Sequence, residues 1–321
     1  MKPSFNARLV NGPFEDPGLY VRFVRQGRAL LFDCGFTTGL SVRDILKISD
    51  IFVSHAHVDH FIGLDSILRL HLKKETPLSL YGPDGFIRNV EGKLGSYTWN
   101  LVGDYPLVIE VSEVKGKSVS KAVFKAGNSF KREDKGTVPF DGVLVKDSFF
   151  RVKAVVLDHQ VPCLGFRLEE DYHINIDKAK LNGLNLPVGP WLGEFKNALR
   201  KNMADSVFAI EGRSVTFSEL REIANITKGQ KISYIVDVLG SESNRKKIVN
   251  LAKGSDAIYI EAYFLHRDKD KAEERFHLTA RQAGSIAGEA GAAKMTVFHF
   301  SPRYADSPEA PVKEAEDEFS K

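Results

Sequence analysis

Several kinds of protein are excluded by what this sequence lacks. Two of its 321 residues are cysteine, Cys34 and Cys163. That is too few for a disulfide scaffold and fits a reducing cytoplasm. Both lie near residues singled out below, yet a small buried hydrophobe is the ordinary role of a free cysteine. No apolar run approaches the roughly eighteen residues of a membrane span, so no membrane partner is expected. The opening Met1-Lys2-Pro3-Ser4-Phe5-Asn6 has no apolar signal-peptide core. No Gly-rich nucleotide loop occurs. Net charge is small as well: +3 at pH 7 does not by itself argue for nucleic acid. Basic residues gather only locally, at Lys73-Lys74, through 115–135 and at Arg245-Lys246-Lys247. For these runs a solvated face and a phosphate-contacting one both stay open.

What the chain does have is histidine in one kind of place. Ile51-Phe52-Val53-Ser54 reads as a buried strand running straight into His55-Ala56-His57-Val58-Asp59-His60. In an extended segment alternate side chains share a face, so His55 and His57 can point at one metal ion. Asp59 and His60 fall where the chain turns into the helical-looking Phe61–Leu68, which can aim them at a second ion. Six of the nine histidines sit at similar strand ends. Imidazole and carboxylate are donors that zinc and its neighbours prefer.

The remaining candidates follow in order. A β-meander over 5–10 and 18–34 stops at Asp33-Cys34-Gly35-Phe36. A short amphipathic helix is predicted over 40–48, a strand at Pro77–Pro83, and further strands near 107–112, 121–126 and 143–146. Lys125–Thr137, rich in Lys, Gly and Asn, reads as a mobile hairpin or loop. The strand Phe149–Leu157 delivers Asp158-His159, and Ile232–Val236 delivers Asp237. A helix from Ser241 to Lys253 has Ser241 as N-cap and Gly254 as stop. Strand Ala257–Ala262 carries Glu261. Thr279 with Gln282 forms a capping box, which places His277 beside a helix N-terminus that favours an anion. The last strand, from Met295, ends in His299-Phe300-Ser301-Pro302-Arg303-Tyr304. For Arg303, substrate approach and pairing with a carboxylate are both open. The acidic tail after Asp306 is expected to fray.

His-x-His-x-Asp-His after an apolar strand resembles the signature of the metallo-β-lactamase superfamily. Within it the chain most resembles ribonuclease Z, an endonuclease that trims precursor-tRNA 3′ ends. The likeness runs over nearly the whole chain: Val161–Phe166 resembles the third motif and His299–Tyr304 the His-Phe-Ser-x-Arg-Tyr run. Two motifs depart. Val236-Asp237-Val238 replaces Gly-Asp-Thr, and Ile260-Glu261-Ala262-Tyr263 replaces His-Glu-Ala-Thr, keeping only its Glu-Ala centre.

The resemblance implies an α/β fold, an αββα four-layer sandwich spanning 1–305. About 166–230 would be an inserted arm with a Gly-Pro motif that grips tRNA, and 306–321 a flexible tail. It implies two divalent cations, Zn2+ first and Mn2+ second. His55, His57 and His159 would hold one, Asp59, His60 and His299 the other, and Asp237 would bridge them. Asp33 would support the histidine loop. Asp59 would orient the attacking hydroxide, while His277, backed by Glu261, would serve the leaving oxygen. The expected reaction is endonucleolytic hydrolysis of RNA, at precursor-tRNA 3′ ends, by a cytoplasmic homodimer. A phosphodiesterase for small molecules or cyclic nucleotides, sharing the same metals, is the alternative that the altered Ile260–Tyr263 motif leaves room for.

Overall fold

The computed structural model describes residues 3–24 and 26–321; Met1, Lys2 and Arg25, including the start of the N-terminal stretch read above, lie outside the described residues. Three strands open the chain, β1 (Phe5–Leu9), β2 (Leu19–Phe23) and β3 (Ala29–Phe32), paired antiparallel in order. Helix α1 (Val42–Ile45), capped by Ser41, is shorter than the expected 40–48 because Ile48 already belongs to β4 (Ile48–Phe52). Strand β4 lies parallel to β3 and feeds the histidine loop, which winds into α2 (Val58–Phe61) and α3 (Leu64–His71). Two further parallel strands follow, β5 (Leu78–Pro83) and β6 (Val108–Lys115), joined through α4 (Phe86–Gly95). The antiparallel β7 (Ser118–Lys125) and β8 (Arg132–Pro139) complete an eight-stranded sheet in chain order. Lys125–Thr137, expected to be a mobile hairpin or loop, makes the turn of the β7–β8 hairpin and most of its outer strand. The β8 backbone pairs with β7 while its side chains face solvent, so its polar composition records the exposure and not the pairing.

A second sheet begins with β9 (Val143–Lys146), β10 (Phe150–His159) and β11 (Val161–Glu170). Val145–Arg151 and Glu169–Gln230 form a compact unit of their own. Within it lie β12 (Tyr172–Ile176), α5 (Lys178–Gly183), α6 (Trp191–Arg200), β13 (Val207–Ile210), β14 (Arg213–Thr216), α7 (Phe217–Arg221) and β15 (Ala224–Lys228). Strand β12 pairs with β15 and β13 with β14. This unit buries a core around Leu181, Phe195, Phe208, Val215 and Leu220. Gly189-Pro190 precedes α6, where Trp191 Nε1 donates to Pro187 O at 3.0 Å.

The other unit resumes with the parallel strands β16 (Lys231–Ile235), β17 (Ala257–Glu261) and β18 (Met295–Phe298), giving a six-stranded sheet ordered β18-β17-β16-β11-β10-β9. Helix α8 (Glu242–Ala252) has the predicted cap: Ser241 Oγ accepts from Asn244 N at 3.2 Å, and Gly254 ends the turn at φ +64°. After α9 (Lys269–Glu274) comes α10 (Ala280–Glu289), opened by the Thr279–Gln282 capping box. The acidic tail is not frayed. It forms α11 (Glu309–Phe319), whose Val312, Ala315 and Phe319 follow helical spacing and pack into the core with α10. Gly284 makes the seat, since a Cβ there would lie 2.2 Å from Ala315 O.

Apolar residues of α3 and α4 pack on one face of the first sheet, and those of α8, α10 and α11 on one face of the second. Aromatic rings join the two sheets: Phe32 meets Phe166 at 5.6 Å and Tyr234 at 6.0 Å between centroids. The result is the αββα four-layer sandwich that the resemblance implies.

Candidate dinuclear metal centre

The site assembles at strand ends. His55 and His57 follow β4, Asp59 and His60 lie in α2, and His159 ends β10. Asp237 follows β16, Glu261 ends β17, His277 precedes α10 and His299 follows β18. The contributing strands come from both sheets and not from one sheet edge, so the facing layers bring the residues together. Donor atoms of His55, His57, His159 and Asp237 all lie within 4.8 Å of one another, as do those of Asp59, His60 and His299 and those of Asp237, Glu261 and His277.

Backbone strain helps to aim them. Asp33, Asp237 and His299 take positive φ, at 54°, 46° and 57°. A left-handed residue turns the chain sharply out of a strand, a conformation that non-glycine residues adopt only where the surroundings enforce it. Phe276, at φ 59°, is another, and its carbonyl accepts from His159 Nδ1 at 2.7 Å. That bond puts the His159 proton on Nδ1 and leaves Nε2 with its lone pair toward the cluster.

Asp33 does the same for His60. Its Oδ1 accepts from Ser54 N at 2.6 Å. Its Oδ2 accepts from Ser54 Oγ at 2.8 Å, His60 Nδ1 at 2.9 Å and Tyr234 Oη at 3.0 Å. The Asp33-Cys34-Gly35 turn is also stitched to the histidine loop, Cys34 N to His60 O at 2.9 Å and Gly63 N to Cys34 O at 2.8 Å. Gly63 permits this closeness, because a Cβ would sit 2.0 Å from Gly35 O. Cys34 and Cys163 are buried and unpaired with each other.

The electrostatics favour cations. Burial holds the His55 pKa down at about 2 and lowers that of His57. Burial opposes ionisation of Asp237, but His299 and His60 outweigh it and keep its pKa well below the carboxylate range. Asp59 is likewise lowered to about 2, burial being overcome by the His60 imidazole 3.4 Å away. Burial opposes the imidazolium of His277 too, yet the Glu261 carboxylate 2.8 Å from Nδ1 raises its pKa. The remaining Glu261 oxygen accepts from Val238 N at 2.7 Å and Leu278 N at 3.2 Å, fixing the carboxylate.

Divalent metal fits this donor set. His55 Nε2, His60 Nε2 and Asp237 Oδ1 are buried with no hydrogen-bond partner among the described residues. Leaving such atoms unsatisfied costs about 1–3 kcal/mol each. Asp237 Oδ2 stands 3.5 Å from His55 Nε2 and 3.4 Å from His159 Nε2. Ligands at the corners of a tetrahedron with bonds of about 2.1 Å are separated by about 3.4 Å. Two adjoining donor groups that meet at Asp237 suit a dinuclear centre.

The sequence profile of the metallo-beta-lactamase superfamily matches residues 15–83, which hold Asp33 and the histidine loop. A ribonuclease Z of Deinococcus radiodurans is 31% identical across 94% of this chain and 92% of its own length. The chain belongs to the ribonuclease Z family. Among solved structures, human tRNase Z, short form, shares the fold with a TM-score of 0.52 at 21% identity, covering 94% of this chain and 93% of that one. The metallo-beta-lactamase fold protein YhfI from Bacillus subtilis does so at 0.55 and 15%, over 98% of this chain and 92% of that one.

Against the ribonuclease Z pattern, the altered Ile260–Tyr263 motif keeps Glu261 against His277 and substitutes a large ring. Tyr263 stacks on His277, centroids 4.0 Å apart and planes 11° from parallel. Burial, then the Asp237, Glu261 and Asp59 carboxylates, raise its pKa. Arg303 resolves toward pairing: Nη1 lies 3.2 Å from Asp268 Oδ1, with the guanidinium over the Phe264 ring. Sequence reasoning missed Tyr234, Ser54, Phe276 and Tyr263 as parts of the site. Only Tyr263 had a signal, its departure from the family's threonine.

Proposed function

We propose that this protein is a tRNA 3′-processing endonuclease, with His55, His57 and His159 holding one divalent cation, Asp59, His60 and His299 a second, and Asp237 both. The observation that carries the reading is the adjoining pair of donor clusters beside a buried Glu261–His277 pair. Three nitrogens to one side and a mixed nitrogen and carboxylate set to the other favour zinc, with manganese the second choice. Two such ions, when bound, supply a nucleophile near neutral pH and offset the charge of the attacked phosphate.

The chain's own groups do the rest. Asp33 and the Phe276 carbonyl hold His60 and His159 in the tautomer that presents Nε2. Asp59, at 35% side-chain exposure, is the carboxylate of the cluster most open to solvent and can take a proton from attacking water. Glu261 accepts from His277 Nδ1 and favours the imidazolium, so that the proton on its Nε2 can pass to the departing oxygen.

We assign the second compact unit, with its Gly189-Pro190 segment, to gripping the tRNA body, and the active form to a homodimer acting in the cytoplasm. Supporting the former are the unit's own core and its exposed Val188, Met203 and Val207. No helix among the described residues is long and apolar enough to cross a membrane.

The test gives zinc- or manganese-loaded protein a precursor tRNA with a 3′ trailer and, separately, bis(p-nitrophenyl) phosphate, beside His277→Ala. Cleavage just after the discriminator base, lost in the variant, is the expected result. Turnover of the small diester alone would move the substrate to the small-molecule class. A strict monomer on size measurement would remove the dimer.

A further inference from the structure

Tyr263 is held in the centre more firmly than a surface side chain requires. Its backbone is pinned on both sides: Ala262 N donates to Phe298 O at 3.0 Å, Ser301 N to Tyr263 O at 3.0 Å, and Phe264 N to Leu278 O at 3.2 Å. These bonds tie it to the segments carrying His299 and His277. Its ring lies flat on His277 and edge-on to His299, 5.2 Å between centroids. With Nδ1 of His277 fixed on Glu261 and one ring face covered by Tyr263, the imidazole has one free polar atom, Nε2. The phenol hydroxyl makes no hydrogen bond among the described residues, although the ring is half-buried beside a polar cluster. A fixed donor with no protein partner, one ring away from the leaving-group histidine, is placed for a ligand oxygen.

We propose that Tyr263 is a substrate-contacting residue of this centre, donating its hydroxyl proton to an oxygen of the bound phosphodiester while its ring keeps His277 in register. This rests on the phosphodiesterase reading above. It does not depend on whether the diester belongs to tRNA or to a smaller molecule. The proton is shared and not transferred, so no bond of the tyrosine forms or breaks. A threonine at this position lacks the reach and the ring, which makes the contact a property of this chain's altered motif.

The experiment compares metal-loaded wild type with Tyr263→Phe and Tyr263→Thr in three readouts: metal content, binding of inorganic phosphate by calorimetry, and kcat and KM on precursor tRNA and bis(p-nitrophenyl) phosphate. Tyr263→Phe keeps the stack and loses the donor. It should bind phosphate about ten- to a hundredfold more weakly and lose a similar factor in kcat/KM, with metal content and melting temperature unchanged. Tyr263→Thr should lose more in kcat, because the His277 ring is no longer clamped. Tyr263→Phe equal to wild type in phosphate binding overturns the proposal, whatever the natural substrate proves to be. Wild type that spares precursor tRNA but hydrolyses the small diester overturns the tRNA reading instead, and the comparison of variants still stands.

Discussion

His60 Nδ1 donates to Asp33 Oδ2 at 2.9 Å, and neither side chain reaches solvent. Asp33 is unique in the site for serving four donors with two oxygens, from Ser54 N, Ser54 Oγ, His60 Nδ1 and Tyr234 Oη. An amide cannot replace it, since its nitrogen would face donors. Asp33→Asn should therefore weaken metal binding about 10–100-fold, the cost typical of losing a ligand's supporting partner. Competition with a calibrated chelator measures this. Tyr234→Phe, which removes one of the four donors, should cost stability of only about 1 kcal/mol.

The Glu261–His277 pair should behave as a unit. His277→Ala is expected to lower kcat about 10²–10⁴-fold with metal content intact. Glu261→Gln should come close to it. Its oxygen is needed by Val238 N and Leu278 N, so its amide would face His277 Nδ1 and disfavour the imidazolium, the form with a proton to give from Nε2. If the glutamine variant keeps wild-type kcat, the carboxylate does not sustain an acid on His277.

Metal uptake should release protons at neutral pH. In the metal-free protein burial disfavours His60 imidazolium, but Asp237 and Asp33 outweigh it and raise the pKa well above the usual value. A raised histidine pKa adds stability that is complete below about pH 6.5 and is lost as pH rises through the folded value. A cation at Nε2 competes with that proton, so zinc should bind more tightly as pH increases. Calorimetric titration in two buffers of different ionisation enthalpy counts the protons. Identical heats in both would mean that none is displaced.

Phe195 is fully buried at the centre of the second unit, in edge contact with Phe208 at 5.7 Å and Phe217 at 5.8 Å. Phe195→Ala should destabilise that unit by about 3–5 kcal/mol. If the unit grips tRNA, KM for precursor tRNA rises while hydrolysis of bis(p-nitrophenyl) phosphate is unchanged. Equal loss on both substrates would place the unit's role at the centre itself.

Much of the centre is written in the sequence because its signals are local. A buried strand followed by His-x-His-x-Asp-His fixes which side chains leave that strand end together, whatever surrounds them. The caps at Ser241 and Thr279 likewise form between neighbours three residues apart. Local composition misleads where partners are distant. The acidic tail becomes α11 because α10 offers a small-residue face.

By itself the sequence determined most element types and the strand-end positions of the histidines and aspartates, set by periodicity and neighbouring residues. Only the tertiary structure decided how those strand ends meet. Two sheets packed face to face bring His55 and His60 to Asp237, almost two hundred positions away. Positive φ at Asp33, Asp237 and His299 turns them into the cluster, and the Asp33 bonds choose a tautomer. The stacking of Tyr263 on His277 likewise depends on where β17 and β18 end side by side. Strain of this kind is stabilised by packing across the whole sandwich, which no short stretch of sequence encodes.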